Sequence, residues 1–315
     1  MKKSILASSI AAAVFGLGAV TGAQADTAVA NAANGVGDIL LVPYFTAQNN
    51  NATLLSITNT DTLNGKAVKV RFRGAANSDD IYDFQVFLSP TDVWTANVSK
   101  GADGRSVLTT TDASCTKPSA ATLNSTPFVT ARLNPALTAE QKASNTREGY
   151  IEIIGMADIP KDYLTGSGVR TAAPLSATPL PVLVSNGSNG GDGLTNTLYT
   201  AIKHVKSVAP CAGTAFTALD TVTWPMATLA ANAKGMTPST GGLIANWTII
   251  NTTNAAAWSG AAHAMAVTGD KAVLYVPQTA AAVSKTNADL FTADPLLIVA
   301  RKRVQGGILA PDTFP

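Results

Sequence analysis

Glutamate is nearly missing from this 315-residue sequence, which holds only Glu140, Glu148 and Glu152. Histidine and cysteine are equally scarce, at two each: His204, His263, Cys115 and Cys211. These absences exclude much chemistry. There is no H-E-x-x-H, P-loop or dinucleotide glycine pattern. There is no G-x-S-x-G elbow, and Gly166-Ser167-Gly168 reads as a loop. Neither cysteine has a second Cys or a His at ligand spacing, so no zinc site is expected. Beyond the first twenty residues no stretch approaches the ~20 apolar residues of a membrane-spanning helix.

Charge is also low, at 13% of residues. Lys2 and Lys3, the apolar Ala-rich run from Ile5 to Val20, and Ala23-Gln24-Ala25 together read as a secretory signal over residues 1–25. The mature chain is then expected to begin at Asp26. A membrane helix is the competing reading, opposed by its shortness, by Gly16 and Gly18, and by the cleavage motif. The whole chain has 22 basic and 20 acidic residues, and losing Lys2 and Lys3 leaves 20 of each. A balance of zero offers no field to attract nucleic acid. Such a weakly charged surface is prone to self-association.

What the sequence does have is strand pattern. Asp38 to Val98 runs through DILLVPYFT, ATLLSITNT, KAVKVRFRG, IYDFQVFLS and VWTANV. In the third, Val68, Val70 and Phe72 alternate with Lys69, Arg71 and Arg73, as a half-buried strand requires. That pattern places the first three inside and the last three outside. Turns are expected at the Asn-rich 49–51, at Asp61 to Gly65, at Gly74 to Asp80 and at Ser89-Pro90. Further strands are expected at Ser106 to Thr111, Tyr150 to Met156 (a central one), Leu243 to Asn251, Ala261 to Val267, Ala272 to Pro277 and Leu296 to Val304. Helices are expected at Thr138 to Ser144, Thr195 to Val208 and Pro225 to Ala233. The fold is therefore read as mainly β. It is an antiparallel, immunoglobulin-like β-sandwich over residues 26–315, with a long mixed insertion at about 112–240. A second domain is the alternative reading of that insertion. Asp26 to Val36 is either a flexible leader or a strand that orders on a neighbouring subunit.

Candidate sites are few. His204 is assigned to a solvated helix face and His263 to a core or edge position. Glu148 and Glu152 flank Tyr150 on one strand face, but residues four apart on a strand lie ~13 Å from each other. That exceeds the carboxylate spacing of glycoside hydrolases. Asn186, Ser188, Asn189 and Asp192 form a Gly-rich loop that could hold calcium; it lacks a bidentate Glu, and an ordinary loop is the competing reading. Trp94 and Trp247 fall in strand patterns and are read as core. Trp224 and Trp258 complete a set that could stack on sugars. The Asn-Ala-Thr and Asn-Thr-Thr sequons at 51 and 251 are expected by chance in a chain this rich in Asn and Thr.

The block from Pro43 to Trp94 resembles a family of exported proteobacterial cell-surface proteins of poorly characterised role. The residues that carry the resemblance are Pro43 to Thr46, Thr53 to Thr60, Lys66 to Phe72, Asn77-Ser78, Asp83-Phe84, Leu88 to Pro90 and Asp92 to Trp94. The resemblance implies a β protein that is extracellular or associated with the outer-membrane surface, and it carries over no catalytic residues. With the composition, it leads to the expectation of an exported structural subunit, not an enzyme and without cofactor. Such a subunit would form a homo-oligomer or homopolymer in a surface layer or filament. A carbohydrate- or surface-binding adhesin module is the alternative. In an exported chain Cys115 and Cys211 are expected to form a disulfide, two separate thiols being the alternative. A non-reducing tryptic digest should yield the two cysteine peptides joined; two alkylatable thiols would refute the pairing.

Overall fold

The structure is a computed structural model. It describes residues 29–161, 196–217, 219, 235–267, 271–273, 275, 278, 297–299, 303–304 and 307–308. The first seven strands are β1 (Val29–Asn31), β2 (Ile39–Thr46), β3 (Asn51–Asn59), β4 (Gly65–Gly74), β5 (Asp80–Leu88), β6 (Val93–Lys100) and β7 (Ser106–Thr109). A short strand β8 (Cys115–Lys117) and helices α1 (Ala120–Ser125) and α2 (Ala139–Asn145) lead to the long strand β9 (Glu148–Ile159). Helices α3 (Thr197–Ile202) and α4 (Thr214–Thr217) come next. The chain returns through β10 (Thr237–Pro238), β11 (Leu243–Asn251), β12 (Ala256–Ala261) and β13 (His263–Val267). Two small ladders follow, one pairing Lys271–Val273 with Leu297–Val299 and the other Arg303–Val304 with Gly307–Ile308.

The strands form a sandwich of two antiparallel sheets. The larger has the order β1-β13-β2-β9-β4-β5-β8, with β10 on the end of β9. The smaller has the order β12-β11-β3-β6-β7. This is larger than the seven- or nine-strand immunoglobulin arrangement. The chain changes sheet at its turns. Asn49 and Asn50 turn β2 into β3 with φ of 52° and 62°, left-handed values that Asn tolerates better than most residues. Thr91 does the same between β5 and β6, at φ 60°. Early and late strands pair, with β3 against β11 and β2 against β13. Val29–Asn31 pairs with β13 of its own chain, so this part of the N-terminal segment is an edge strand in cis.

Two apolar layers hold the sandwich. Between the sheets, Phe45, Phe72, Tyr82, Phe84, Trp94 and Phe128 pack with the aliphatic residues of β3, β9 and β11. Tyr82 stacks on Phe128 at 4.4 Å, and Phe72 meets Phe45 edge-on at 5.1 Å. The second layer lies on the opposite face of the large sheet. There Ala67, Phe87, Ile154 and Ile159 are covered by Leu198, Tyr199, Ile202 and Phe216 of the helical segment, and by Tyr275. Every residue of β5 is buried in consequence.

That second layer corrects one expectation. Val68, Val70 and Phe72 are buried as expected, but Lys69, Arg71 and Arg73 are not exposed. Lys69 is fully buried, and the Arg71 and Arg73 side chains are only 12% and 18% accessible. Alternation revealed two chemically different faces, and Tyr275 and Gln278 then closed over the polar one at Gln85 and Lys69. Helix α3 also ends at Ile202, short of the expected Val208, because Lys203 and His204 leave the helical path. Helix α2 begins where expected. The Thr138 hydroxyl accepts from the Gln141 N–H and the Gln141 side chain accepts from the Thr138 N–H.

Phe72→Ala should cost about 3–5 kcal/mol in denaturant melts, as loss of a fully buried ring. Gly149→Ala should be comparably harmful, because a Cβ there would overlap the Arg73 carbonyl where β4 meets β9. A loss within ~0.5 kcal/mol for either, as at an open surface, would mean that the β4–β9 junction is misplaced.

Candidate functional site

Two features of the sandwich stand out: an uncharged sheet face, and buried charges in the opposite sheet. The first follows from register. Across the small sheet one row of outward positions reads Thr95, Ser56, Asn246, Ala261. The next reads Thr109, Asn97, Leu54, Thr248, Ser259. The inward partners are Leu55, Ile57, Trp94, Ala96, Val98, Leu108 and Ala245, all buried. The five strands carry one charged residue, Lys100 at the end of β6. The outward face is therefore small, polar and neutral, with Leu54 and Val93 at least 40% exposed. Asp112 borders it, accepting from the Thr95 N–H at 3.1 Å.

The sheet edges differ sharply. β7 is four residues long, and Val107 pairs with Pro127 beyond it. β8 is three residues long and is tied down by the Cys115–Cys211 disulfide, with Lys117 lying 4.3 Å over the Phe216 ring. β12 has neither protection. Its sequence is AAWSGA, and among the described residues no strand pairs with its outer edge. Trp258 within it is 55% exposed. An edge strand without charge, proline or cover is the kind that recruits another strand.

The large sheet holds two buried lysine clusters. At the sandwich end, Lys66 Nζ lies 2.6 Å from Asp158 Oδ1, 3.1 Å from Asp61 Oδ2 and 3.2 Å from Thr240 Oγ1. Burial pushes the Asp158 carboxyl up, against the pull of Lys66 and Thr240. Burial would also raise Asp61. There the Leu63 and Asn64 N–H groups, the Asn64 amide and Lys66 outweigh it and hold the carboxyl at about 2. On the covered face, Lys69 Nζ lies 2.6 Å from both Asp83 Oδ1 and Gln278 Oε1. The Gln278 amide donates to Asp83, and the Tyr275 hydroxyl donates to Gln85. Burial pushes the Asp83 carboxyl up, with Lys69 opposing. Beside this cluster, Glu152 Oε2 receives Arg71 at 2.7 Å and Arg73 at 3.2 Å. Arg132 reaches Asp80 at 2.9 Å.

The residues singled out from the sequence scatter. Cys115 and Cys211 are bonded, with Cα atoms 5.2 Å apart. Their link ties β8 to the segment after α3 and closes a separation of 96 residues. Loops of that size stabilise by up to ~4.7 kcal/mol in the chain-entropy view. His204 lies just past α3, its Nδ1 3.3 Å from Asp92 and from Ser89 Oγ. His263 is exposed, 3.0 Å from Asn31 Oδ1. Glu148 accepts from the Tyr44 hydroxyl, and Glu152 serves the two arginines. Trp94 is buried and Trp247 packs against the core. The loop of Asn186, Ser188, Asn189 and Asp192, Trp224, residues 1–25 and the helix expected at Pro225 to Ala233 lie outside the described residues. Among the described residues no group of three His, Cys, Asp or Glu is placed to hold a metal. No described helix is long and apolar enough to cross a membrane.

The sequence reading missed both lysine clusters and the strand β12. Lys66 and Lys69 inside a valine run were the available signal for the first. β12 gave none, since its alanines and glycine carry no strand period. Comparison with protein-family models, curated proteins and solved structures gives no match.

Removing Lys69 alone should be costly, because Asp83 would be left as an uncompensated buried charge. Lys69→Met should destabilise by about 3–5 kcal/mol, while the double change Lys69→Met with Asp83→Leu should recover most of that loss. Equal losses in urea melts would show that the pair is not electrostatically coupled.

Proposed function

We propose that this chain is an exported structural protein of the cell surface that assembles with copies of itself. The observation that carries the reading is the neutral outer face of the small sheet together with its unpaired edge β12. Proteins that stay monomeric shield such edges with charge, proline or cover. Here the strands of the small sheet carry a single charged residue, Lys100, and the two cysteines are used in a disulfide of the kind that oxidising compartments favour. The leader expected at residues 1–25 supports export, and a mature net charge of zero removes long-range repulsion between copies. A surface layer or filament at the outer-membrane surface is the assembly proposed.

One observation favours a second reading. Trp258 pairs with Ile249 on the inward row at the open edge of the small sheet and is nevertheless more than half exposed, and an exposed aromatic ring is suited to stacking on a sugar ring. An adhesin of this kind would remain monomeric and bind glycan.

Light scattering of the mature protein over a range of concentrations separates the two. A structural subunit should give concentration-dependent homopolymer. Ser259→Lys places a charge on β12 and should abolish assembly while changing monomer stability by no more than ~0.5 kcal/mol. A wild-type protein that stays monomeric at every concentration refutes the assembly reading.

A further inference from the structure

The Lys66 cluster has a composition that ordinary ion pairing does not require. One fully buried ammonium sits between two carboxylates of opposite character, and a threonine clamps one of them. We propose that Lys66 and Asp158 become joined by an intramolecular isopeptide bond, with the Asp61 carboxylate as proton carrier.

Position comes first. Lys66 and Asp158 are direct cross-strand partners on β4 and β9. Nζ already lies 2.6 Å from Asp158 Oδ1, with both side chains withdrawn from water. Holding two reactants in this way replaces an encounter with an intramolecular step. Asp158 is held from the other side by Thr240. Its hydroxyl donates to Oδ2 at 2.6 Å and its N–H to Oδ1 at 3.3 Å. These donors polarise the carboxyl and stabilise negative charge on its oxygens during attack. Asp61 is fixed by the N–H groups of Leu63 and Asn64 at 2.8 and 3.0 Å, so its other oxygen stays directed at Nζ.

The balance needs no oxidant and no cofactor. One ammonium proton passes to Asp158, whose burial favours the neutral carboxylic acid. The freed amine attacks Cγ. A second nitrogen proton travels through the Asp61 carboxylate to the departing oxygen. The Cγ–Oδ1 bond breaks, one water leaves, and Oδ2 remains as the amide carbonyl under the Thr240 hydroxyl. A cation and an anion become one neutral amide, which removes the cost of keeping a charged pair away from water. Asp61 returns to its ionised state, which its local donors favour.

The Lys69 cluster lacks this arrangement. Among the described residues its ammonium contacts one carboxylate, Asp83, and the side-chain oxygen of Gln278. No second carboxylate is in contact to carry the proton, so that pair stays ionic and a single water is lost per chain.

The test is mass spectrometry of the full exported chain, purified, reduced and denatured. Its mass should be lower than its sequence requires by one water, and a tryptic digest should give a branched peptide joining the segments around Lys66 and Asp158. Trypsin should no longer cut after Lys66. Asp61→Asn should fold, with unchanged near-ultraviolet dichroism, but keep the full mass, and Lys66→Arg should do the same. A wild-type chain at full mass, cleaved normally after Lys66, overturns the proposal. A branched peptide that persists in Asp61→Asn overturns the role given to Asp61. Neither result depends on whether the protein assembles.

Discussion

Burial of the large sheet on both faces is the constraint that the rest of the structure obeys. A sheet packed on one side can leave its polar residues in water. Here the helical segment and the stretch around Tyr275 and Gln278 close over the second side. Every charge on that side must then find a partner, because an isolated ion in an apolar layer costs several kcal/mol even after relaxation. Lys69 with Asp83, and Arg71 and Arg73 with Glu152, answer that demand on the covered face, and Lys66 with Asp158 answers it at the sandwich end.

The same constraint explains the division of labour between the sheets. The large sheet holds most of the charged strand residues, and its strands β4, β5 and β9 are buried over most of their length. The small sheet is almost without charge and leaves its outward face to water. A solvent-facing surface of Thr, Ser, Asn and Ala keeps solubility through hydroxyls and amides alone. It offers little electrostatic resistance to a similar surface. The proposed assembly rests on that difference, since repulsion between like charges is a main barrier to sheet faces and edges meeting.

The disulfide and the Lys66 cluster sit at two roots of the central excursion. Cys211 fastens the segment after α3 to β8 at one sheet edge. Asp158 near the end of β9, and Thr240 just before β11, meet on Lys66 at the sandwich end. Loops joined at their base lose less backbone freedom on folding, which favours the packing of Leu198, Tyr199, Ile202 and Phe216 over the large sheet.

The sequence by itself determined the strands with strong period and the turns between them. Val68, Val70 and Phe72 announced a buried face because alternation is a local property of a pleated chain. Thr138 and Gln141 announced a helix start because capping is also local. The cysteines were legible as a pair from their number together with the expected export of the chain. Only the tertiary structure decided what happened on the other face of β4. Lys69 reads as a solvent residue until residues more than a hundred positions away cover it. The Lys66 cluster draws on positions 61, 66, 158 and 240, and nothing near any one of them signals the others. The edge strand β12 was hidden for the opposite reason: its small residues carry no pattern, and its pairing with β11 fixes its place. Local chemistry writes the period of an element, but what covers each face depends on contacts between distant segments, which no single stretch records.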